Sequence, residues 1–362
     1  LDLQDDTLQP ALAPRAASDP SSSSLPRPLK YAVASRLAPS KDIRARAWLR
    51  CDPFQEYLTG GNPGLPCGAA LDDSAFMDAE ATIGIQIEAA TGTTGQGDAA
   101  GKIYSARYLR LRDEWRLGVF AKTDEKNGDS NRVDLIRDLL QQPHQLLVGG
   151  QQRVCTAIRC EGALLPLPRG RTHGFHEHAG RSLVKWVLLS PAIWPEIPSQ
   201  SRDGRPMAPH PGGWLPNWVR QDDGQVMLRT GERRRRSYSG KHTRGFADDA
   251  GPVDARLVAA LVPKPIPVTG WALPNAADPE RGETGGAKSA HLAVPAGAVY
   301  YFEAGSADAA AHLAAALNWH GQEQNPPTLL NRRSTLMGEK GFGLGVCGTW
   351  NFFEAVSGRP AA

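Results

Sequence analysis

The densest group of chemically active side chains in this sequence is a basic segment between residues 229 and 244. It holds seven cations against one acid, Glu232, with Tyr238 and His242 among them. Clustered guanidinium groups suit two-point contacts with phosphate oxygens, and their mutual repulsion favours an anionic partner. We therefore predict phosphate contact here, with a solvated insertion that touches nothing as the alternative. The cations are Arg229, Arg233, Arg234, Arg235, Arg236, Lys241 and Arg244.

A glycine-rich segment near the C-terminus is the second candidate. It reads Gly338-Glu-Lys-Gly-Phe-Gly-Leu-Gly345, and its glycines allow positive φ and close approach of a partner to the backbone. Exposed amides in such a loop can bind phosphates. The Lys-Ser/Thr ending of a Walker loop is missing, and a β-like segment from Val346 to Phe353 follows where a helix would stand. The segment predicts a phosphate contact, or else a tight turn before the last strand, at Gly338, Lys340, Gly341, Phe342, Gly343 and Gly345.

The histidines do not predict catalysis or metal binding. His173, His176 and His178 lie close together in sequence, but their spacing fits no standard zinc pattern and no cysteine is near. His242, Tyr238 and Lys241 are residue types that act as general acid and base in RNA cleavage, yet nothing in the sequence sets their geometry. We expect no catalytic residue, no metal and no cofactor.

The composition is that of a globular protein. Hydrophobic residues make up 41% and charged residues 22% of the 362 residues, which is enough for two domains with separate cores. The net charge of +3 alone does not indicate nucleic-acid binding. The sequence has no apolar run of about 18 residues and no secretory layout, so we expect neither a membrane span nor export. Five cysteines without Cys-x-x-Cys spacing favour a reducing cytoplasm.

The first half of the chain is predicted to contain an extended segment, several strands and one helix. Residues 1–40 are predicted to form a Pro/Ser-rich extended segment. Alternating and apolar patterns predict strands at residues 82–88, 104–112, 115–122 and 153–160. A single apolar stripe predicts a helix at residues 133–141.

The second half of the chain is likewise predicted to combine strands with one helix. Strands are predicted at residues 183–189, 256–262, 298–302 and 346–353, and Ser306 is predicted to cap an Ala-rich helix that ends just before Gly321. Residues 196–254 show no regular period and are predicted to be a long loop insertion that contains the basic segment. Strands mixed with one helix per half predict an α+β fold with two lobes and largely antiparallel sheets.

Five motifs occur in the order typical of one family. They are Glu80 to Ile87; Gly101-Lys-Ile-Tyr104 with Leu109-Arg-Leu111; Gly149-Gly-Gln-Gln-Arg153; Val268-Thr-Gly-Trp-Ala-Leu273 and Lys288 before Ala293-Val-Pro-Ala-Gly-Ala-Val-Tyr-Tyr-Phe302; and Gly341-Phe-Gly343. From residue 80 to residue 353 the chain resembles the third subunit of the type III-B CRISPR Cmr effector complex, a member of the RAMP superfamily. The family's serine after Val-Pro-Ala-Gly is Ala298 here. Its opening strand is not recognisable upstream of residue 80, so we expect a first lobe that is incomplete at its N-terminus.

The resemblance implies two ferredoxin-like (RRM-like) lobes, at residues 41–165 and 166–356, with the basic insertion at residues 196–254. It implies a non-catalytic subunit that holds the 5′ repeat-derived tag of the CRISPR RNA in antiviral defence. The implied protein partners are the large polymerase/cyclase-like subunit and neighbouring RAMP backbone subunits. An RRM-like sheet presents aromatic and basic residues to RNA, and residues 104, 108, 110 and 112 share one strand face. Beyond the two segments above, the expected RNA-binding residues are Tyr104, Tyr108, Arg110, Arg112, Arg153 and Lys288.

Three points stay open at this stage. A solvated sheet face is the alternative for residues 104–112. An endoribonuclease of the same superfamily, which processes precursor CRISPR RNA, and the tag-binding subunit of the type III-A complex are the alternative functions. For the glycine-rich segment we expect contact with RNA or with the sheet of the first lobe.

Overall fold

The structure of the protein is a computed structural model. It describes residues 12–14, 25–35, 48–60, 68–85, 87, 91–92, 103–119, 125–127, 131–133, 135–148, 153–160, 167–200, 204, 206–229, 233–238, 241–246, 251–272, 286–323 and 329–352. The chain divides into two compact units that do not follow chain order. The sheet unit comprises Leu1–Ala45, Arg50–Ala69 and Pro168–Ala362, and the ribbon unit comprises Arg46–Leu49 and Ala70–Leu167. Residues 50–69, which the sequence analysis assigned to the first lobe, therefore lie in the sheet unit.

The helices are short and the strands many. The α-helices are α1 (Cys51–Leu58), α2 (Leu135–Leu139) and α3 (Ala307–Leu317). In chain order the strands are β1 (Leu12–Pro14), β2 (Val33–Ser35), β3 (Trp48–Leu49), β4 (Ala70–Leu71), β5 (Met77–Ile85), β6 (Ile103–Leu111), β7 (Glu125–Asn127), β8 (Asn131–Val133), β9 (His144–Val148), β10 (Arg153–Ala157), β11 (His176–His178), β12 (Arg181–Leu188), β13 (Arg233–Tyr238), β14 (Lys241–Phe246), β15 (Ala255–Leu261), β16 (Ile266–Val268), β17 (Trp271–Ala272), β18 (Gly286–Ala287), β19 (His291–Ala293), β20 (Val299–Ala304) and β21 (Gly345–Thr349). No helix among the described residues is long and apolar enough to cross a membrane.

A five-stranded antiparallel sheet forms the core of the sheet unit. Its strands lie in the order β15, β20, β12 and β21, and β11 pairs with the beginning of β12. The predicted strands at residues 183–189, 256–262, 298–302 and 346–353 correspond to β12, β15, β20 and β21, so these four predictions are confirmed. Strands β12, β15 and β20 are rich in Val, Leu, Tyr or Phe, which pack well on a pleated and buried surface.

Helix α3 covers one face of this sheet. Its buried side chains recur at the spacing of a single helical stripe and pack against alternate residues of β12 and β20. The Ser306 hydroxyl accepts a hydrogen bond from the Ala309 amide at 3.1 Å, which confirms the predicted cap. At the other end Asn331 Nδ2 donates to the Ala315 carbonyl at 2.8 Å, and Arg333 Nε donates to the Ala316 carbonyl at 2.6 Å. These side chains satisfy carbonyls that a helix end leaves free, and α3 ends at Leu317, earlier than predicted.

The opposite face of the sheet is covered by helix α1 and by Lys30 and Tyr31. The backbone amides of Lys30 and Tyr31 donate to the Val258 carbonyl at 2.8 and 3.0 Å, at the position where β15 carries a bulge. The Tyr31 hydroxyl donates to Glu303 Oε1 at 2.7 Å. An RRM-like sheet uses this kind of face for RNA, but here it is buried under the chain's own residues.

The ribbon unit consists of two-stranded antiparallel pairs: β3–β4, β5–β6, β7–β8 and β9–β10. The predicted strands at 82–88, 104–112 and 153–160 are confirmed as β5, β6 and β10, with shifted ends. The predicted strand at 115–122 is wrong for residues 115–119, which are not in a strand. Helix α2 begins only at Leu135, because residues 131–133 pair with β7. Within the described part of this unit no sheet exceeds two strands, so the ferredoxin-like fold of the first lobe stays a prediction.

Residues 196–254 were predicted to be a long loop insertion, and most of the described residues there lie outside helices and strands. Isolated bridges join Ile197 to His210 and Val219 to Val226. Strands β13 and β14 form an antiparallel hairpin with six paired positions. The α+β class with mostly antiparallel sheets is confirmed, and the basic segment is folded within it as a two-stranded ribbon.

Candidate nucleic-acid interface

The basic hairpin β13–β14 carries the predicted arginine run. Arg233 pairs with Phe246, Arg235 with Arg244, and Tyr238 with Lys241. Because residues alternate between the two faces of a strand, positions 233 and 235 share one face and positions 234 and 236 the other. The sequence analysis treated the four arginines as one cluster. The register instead distributes cations over both faces of the ribbon.

The register also places like charges directly opposite each other. Arg235 and Arg244 are cross-strand partners, and such a pair destabilises an antiparallel ribbon. A single two-stranded hairpin is only marginally stable by itself. Phosphates of a polyanion would neutralise such opposed guanidinium groups.

Tyr104, Tyr108 and Arg110 lie on β6 in the ribbon unit, and Arg112 directly follows this strand. Arg110 Nη2 lies 2.6 Å from Glu80 Oε1, and Arg112 Nη2 lies 2.9 Å from Asp78 Oδ1. The hydrogen bond and charge of Asp78 raise the pKa of Arg112. Tyr108 is half-buried, and the Tyr104 side chain lies outside the described residues. Both cations are thus already paired with carboxylates of β5, and a phosphate would have to compete for them.

The ion pairs of β6 lead to a specific expectation. We expect Arg110→Ala and Arg112→Ala each to lower the affinity for tag RNA by less than about 3-fold, because an exposed cation that is already paired contributes little to binding. Fluorescence anisotropy with a labelled tag oligonucleotide measures this. A loss of about 10-fold or more in either variant would show that RNA displaces Asp78 or Glu80.

The glycine-rich segment is tied into the sheet unit by its backbone. The Gly343 amide donates to the Pro191 carbonyl at 2.7 Å, and the Arg333 amide donates to the Gly343 carbonyl at 2.7 Å. The Ser190 hydroxyl donates to the Gly341 carbonyl at 2.7 Å and accepts from the Leu344 amide at 2.9 Å. Residues of the sheet unit satisfy these backbone atoms, and contact of the segment with RNA or with the sheet of the first lobe stays a prediction.

Only part of this segment is available to a partner. Gly343 and Gly345 are buried, and a Cβ at Gly345 would lie 2.6 Å from Trp186 Cε2. Lys340 is exposed, and a Cβ at Gly341 would meet no atom within 4 Å. Gly338 begins a short 3-10 turn, and Phe342 is half-buried. Phosphate contact at the exposed rim, residues 339–342, stays a prediction.

The remaining two predicted residues lie in different units. Arg153 begins β10 in the ribbon unit, opposite Val148, and its side chain lies outside the described residues. Lys288 is exposed in the sheet unit, where its amide donates to the Gly270 carbonyl at 2.8 Å. The predicted residues therefore divide between the units: those from Tyr104 to Arg153 lie in the ribbon unit, and the rest lie in the sheet unit.

The sequence analysis missed a buried polar cluster beside α3. The Gly170 amide donates to His320 Nε2 at 2.9 Å, and the Trp319 indole donates to the Pro168 carbonyl at 2.8 Å. Asn318 accepts from the Cys347 amide at 2.6 Å and donates to the Arg171 carbonyl at 3.0 Å. Burial, together with the charge of Arg169, lowers the pKa of His320. No sequence signal marks these contacts, because the partners in three of the four lie about 150 residues apart.

The described residues contain no group of three His, Cys, Asp or Glu side chains that could hold a metal ion. Of the three neighbouring histidines, His176 and His178 lie in β11, and the His178 ring packs 4.6 Å from the Phe352 ring. These positions make them part of a packed sheet edge.

Fold and charge together define an α+β protein with an antiparallel sheet and a separate cationic hairpin. The chain belongs to the CRISPR-associated protein family Cas_Cmr3, whose family model matches residues 6–350. It is thus a subunit of the multi-subunit CRISPR Cmr effector complex. The match begins upstream of residue 80, in a segment where the sequence analysis recognised none of the family's motifs. No curated protein matches the sequence significantly.

Proposed function

We propose that this chain is a non-catalytic RNA-binding subunit of a type III-B effector that holds the 5′ repeat-derived tag of the CRISPR RNA. Its proposed protein partners are the large polymerase/cyclase-like subunit and neighbouring RAMP backbone subunits. Its proposed role is antiviral defence in the cytoplasm. Membership of the Cas_Cmr3 family over residues 6–350 supports the assignment to this complex.

A ferredoxin-like form of the sheet unit is part of the proposal. In chain order, β12, β15, β20 and β21 are the first, second, third and fourth strands of this sheet. Across the sheet they lie in the order 4-1-3-2, and α3 connects the third strand to the fourth. This order and this helix position are those of a ferredoxin-like sheet. Between β12 and β15 the described residues form bridges and a hairpin and contain no α-helix.

The observation that carries RNA binding is the register of β13–β14. Six cations stand on twelve paired residues, and Arg235 faces Arg244 without an acid in either strand. A polyanion relieves this repulsion, and counterion release from RNA phosphates supplies sequence-independent affinity. Base identity would then be read elsewhere, because phosphate contacts carry no sequence information.

The same register bears on one arrangement for cleavage of precursor CRISPR RNA by this chain. Tyr238 pairs with Lys241, whereas His242 pairs with Ser237, so residues 238 and 242 lie on opposite faces of the ribbon. A general acid and a general base must reach the same scissile phosphate. This separation disfavours Tyr238 with His242 as the acid/base pair, whereas Tyr238 and Lys241 share a face, and the cleavage assay below tests the endoribonuclease alternative.

Co-purification with RNA tests the proposal. We expect the chain, isolated with its effector, to retain RNA that begins with the repeat-derived tag, and the pure chain to bind tag oligonucleotides without cutting them. Sequencing of the retained RNA and gel analysis of labelled repeat RNA, with and without Mg²⁺, measure the two outcomes. Cleavage by the pure chain would contradict the non-catalytic role. Retained RNA without enrichment of the tag would contradict tag recognition.

A further inference from the structure

Lys185 lies in the middle of the apolar strand β12 and is buried, with 4% of its surface exposed. Among the residues that the structure describes, no acidic side chain forms an ion pair with its ammonium group. A buried charge normally has an opposite charge beside it, because moving an unpaired charge out of water costs roughly several kcal/mol. This lysine therefore needs a specific explanation.

The contacts of the ammonium group come from the last turn of helix α1. Lys185 Nζ donates to the Tyr57 carbonyl at 2.6 Å and lies 3.3 Å from the centroid of the Tyr57 ring. The negative end of a helix and the face of an aromatic ring both attract a cation. Neither carries a full negative charge, so they offset only part of the cost of burial.

Helix α1 belongs to the sheet unit, although it lies in sequence between two segments of the ribbon unit. The residues on both sides of it, Arg46–Leu49 and the chain from Ala70, belong to the ribbon unit, while Arg50–Ala69 belongs to the sheet unit. Gln55 fastens it through a pair of hydrogen bonds with the Arg169 backbone, at 2.7 and 3.0 Å. Gly348 of β21 leaves room for it, because a Cβ there would lie 2.5 Å from the Leu58 carbonyl oxygen.

The amine of Lys185 is the main group in its surroundings whose charge changes with pH. Tyr57 and Tyr301 share a hydrogen bond; burial raises the pKa of Tyr57 to about 12 and also raises the pKa of Tyr301 well above its ordinary value, so both stay neutral near pH 7 to 10. Glu303 of β20 is held by Tyr31 and Lys30. His176 and His178 of β11 and Arg181 of β12 belong to the same sheet face. Strand β21 contributes no titratable side chain beside Lys185. Burial lowers the pKa of Lys185 to about 7.

We propose that Lys185 makes the docking of α1 onto the sheet proton-linked. The helix is held firmly when the amine is neutral, and it opens more readily when the amine carries its proton, because the open form returns the charge to water.

The direction and pH window of this linkage follow from the two states. In the open form the amine is solvated and titrates near its ordinary pKa of about 10.4, whereas in the docked form it titrates near 7. Between these values the open form binds more protons, so docking strengthens as the pH rises and is weakest at and below pH 7. From pH 7 to pH 9 the opening constant is expected to fall about 50-fold.

Native-state hydrogen exchange of the full chain measures this opening. The observed rates of the α1 amides are divided by their intrinsic rates at pH 7 and pH 9, and the amides of α3 report opening elsewhere in the unit. The opening constant of α1 should fall by roughly 10- to 100-fold while that of α3 changes less. Lys185→Met should keep α1 protected at both pH values, because the side chain has similar length and no proton to bind.

A second variant separates charge from packing. Lys185→Arg keeps a cation that cannot lose its proton, so α1 should be weakly protected at both pH values. If the wild-type opening constant of α1 does not change with pH relative to Lys185→Met, the proposal is overturned. It is also overturned if α1 and α3 change by the same factor, since the linkage would then belong to global unfolding.

Discussion

Replacing Arg233, Arg234, Arg235 and Arg236 together with alanine is expected to weaken binding of tag RNA about 100-fold or more at 50 mM salt. Each phosphate contact that is lost also removes about 0.7 from the slope of log affinity against log salt for single-stranded RNA. Four lost contacts therefore reduce the slope by about 3. Titrations at several salt concentrations, monitored by fluorescence anisotropy, measure both quantities.

Two double variants test the two faces of the hairpin separately. Arg233→Ala with Arg235→Ala removes cations from one face, and Arg234→Ala with Arg236→Ala removes them from the other. If RNA contacts both faces, each double variant loses about 10-fold in affinity; if it contacts one, the other variant binds normally. Either pattern identifies the contact surface.

A charge-matched control excludes a general electrostatic effect. Arg27→Ala with Lys264→Ala removes two exposed cations from elsewhere and changes the net charge from +3 to +1, as each double variant does. This control should bind almost normally. The melting temperature of the quadruple variant and of Arg233→Ala with Arg235→Ala should not fall, because both relieve the repulsion between Arg235 and Arg244. Unchanged affinity and salt slope in the quadruple variant would remove the hairpin from the RNA-binding site.

The strands of the sheet unit were predictable because their sequences are dominated by local physical chemistry. The apolar runs that became β12, β15, β20 and β21 are buried on both faces, and such runs predict strands without knowledge of the tertiary structure. Ser306 was predictable for the same reason, since a cap is a contact between near neighbours.

The basic hairpin was not predictable from those signals. The segment Arg233–Tyr238 has no alternation of apolar and polar residues, which is the pattern that predicts a strand. Its composition indicated phosphate contact, but the distribution of arginines over two faces depends on the register with β14. Conversely, residues 115–119 carry apolar side chains at every second position and are not in a strand, because no partner strand pairs with them in the described part of the chain.

Lys185 shows a second limit of sequence reasoning. One lysine within Leu183-Val-Lys-Trp-Val-Leu188 was predicted as part of an apolar strand, and its isolation there was a usable signal. Its burial, however, depends on α1, which lies 128 residues away in sequence from the lysine it contacts. A strand pattern states which residues alternate but not what covers each face.

The sequence predicted that glycines of the glycine-rich segment adopt positive φ, and two of them do. Gly341 and Gly343 have φ of +84° and +77°, as glycine-specific positions should. The two glycines nevertheless differ in their surroundings, which the sequence could not reveal. A Cβ at Gly343 would lie 2.7 Å from the Arg333 carbonyl carbon, whereas a Cβ at Gly341 would meet nothing within 4 Å.

This difference predicts unequal effects of the same substitution. Gly341→Ala should cost about 1 kcal/mol of unfolding free energy, because it adds only the strain of a left-handed conformation. Gly343→Ala should cost about 3 kcal/mol or more, because the backbone of Arg333 must also move. That movement breaks the hydrogen bond from the Arg333 amide and disturbs the Arg333 side chain that caps α3.

Urea denaturation of both variants measures the difference, and tag affinity on the same preparations separates stability from binding. Gly343→Ala should be the less stable protein, while its folded fraction binds tag RNA normally, since Gly343 is buried within the sheet unit. Gly341→Ala should stay folded, and it loses affinity only if RNA approaches the exposed rim at residues 339–342. Equal destabilisation by the two substitutions would contradict the packing of Gly343 against Arg333. Normal tag affinity in stably folded Gly341→Ala would remove the rim from the RNA-binding site and leave the hairpin as its main cationic element.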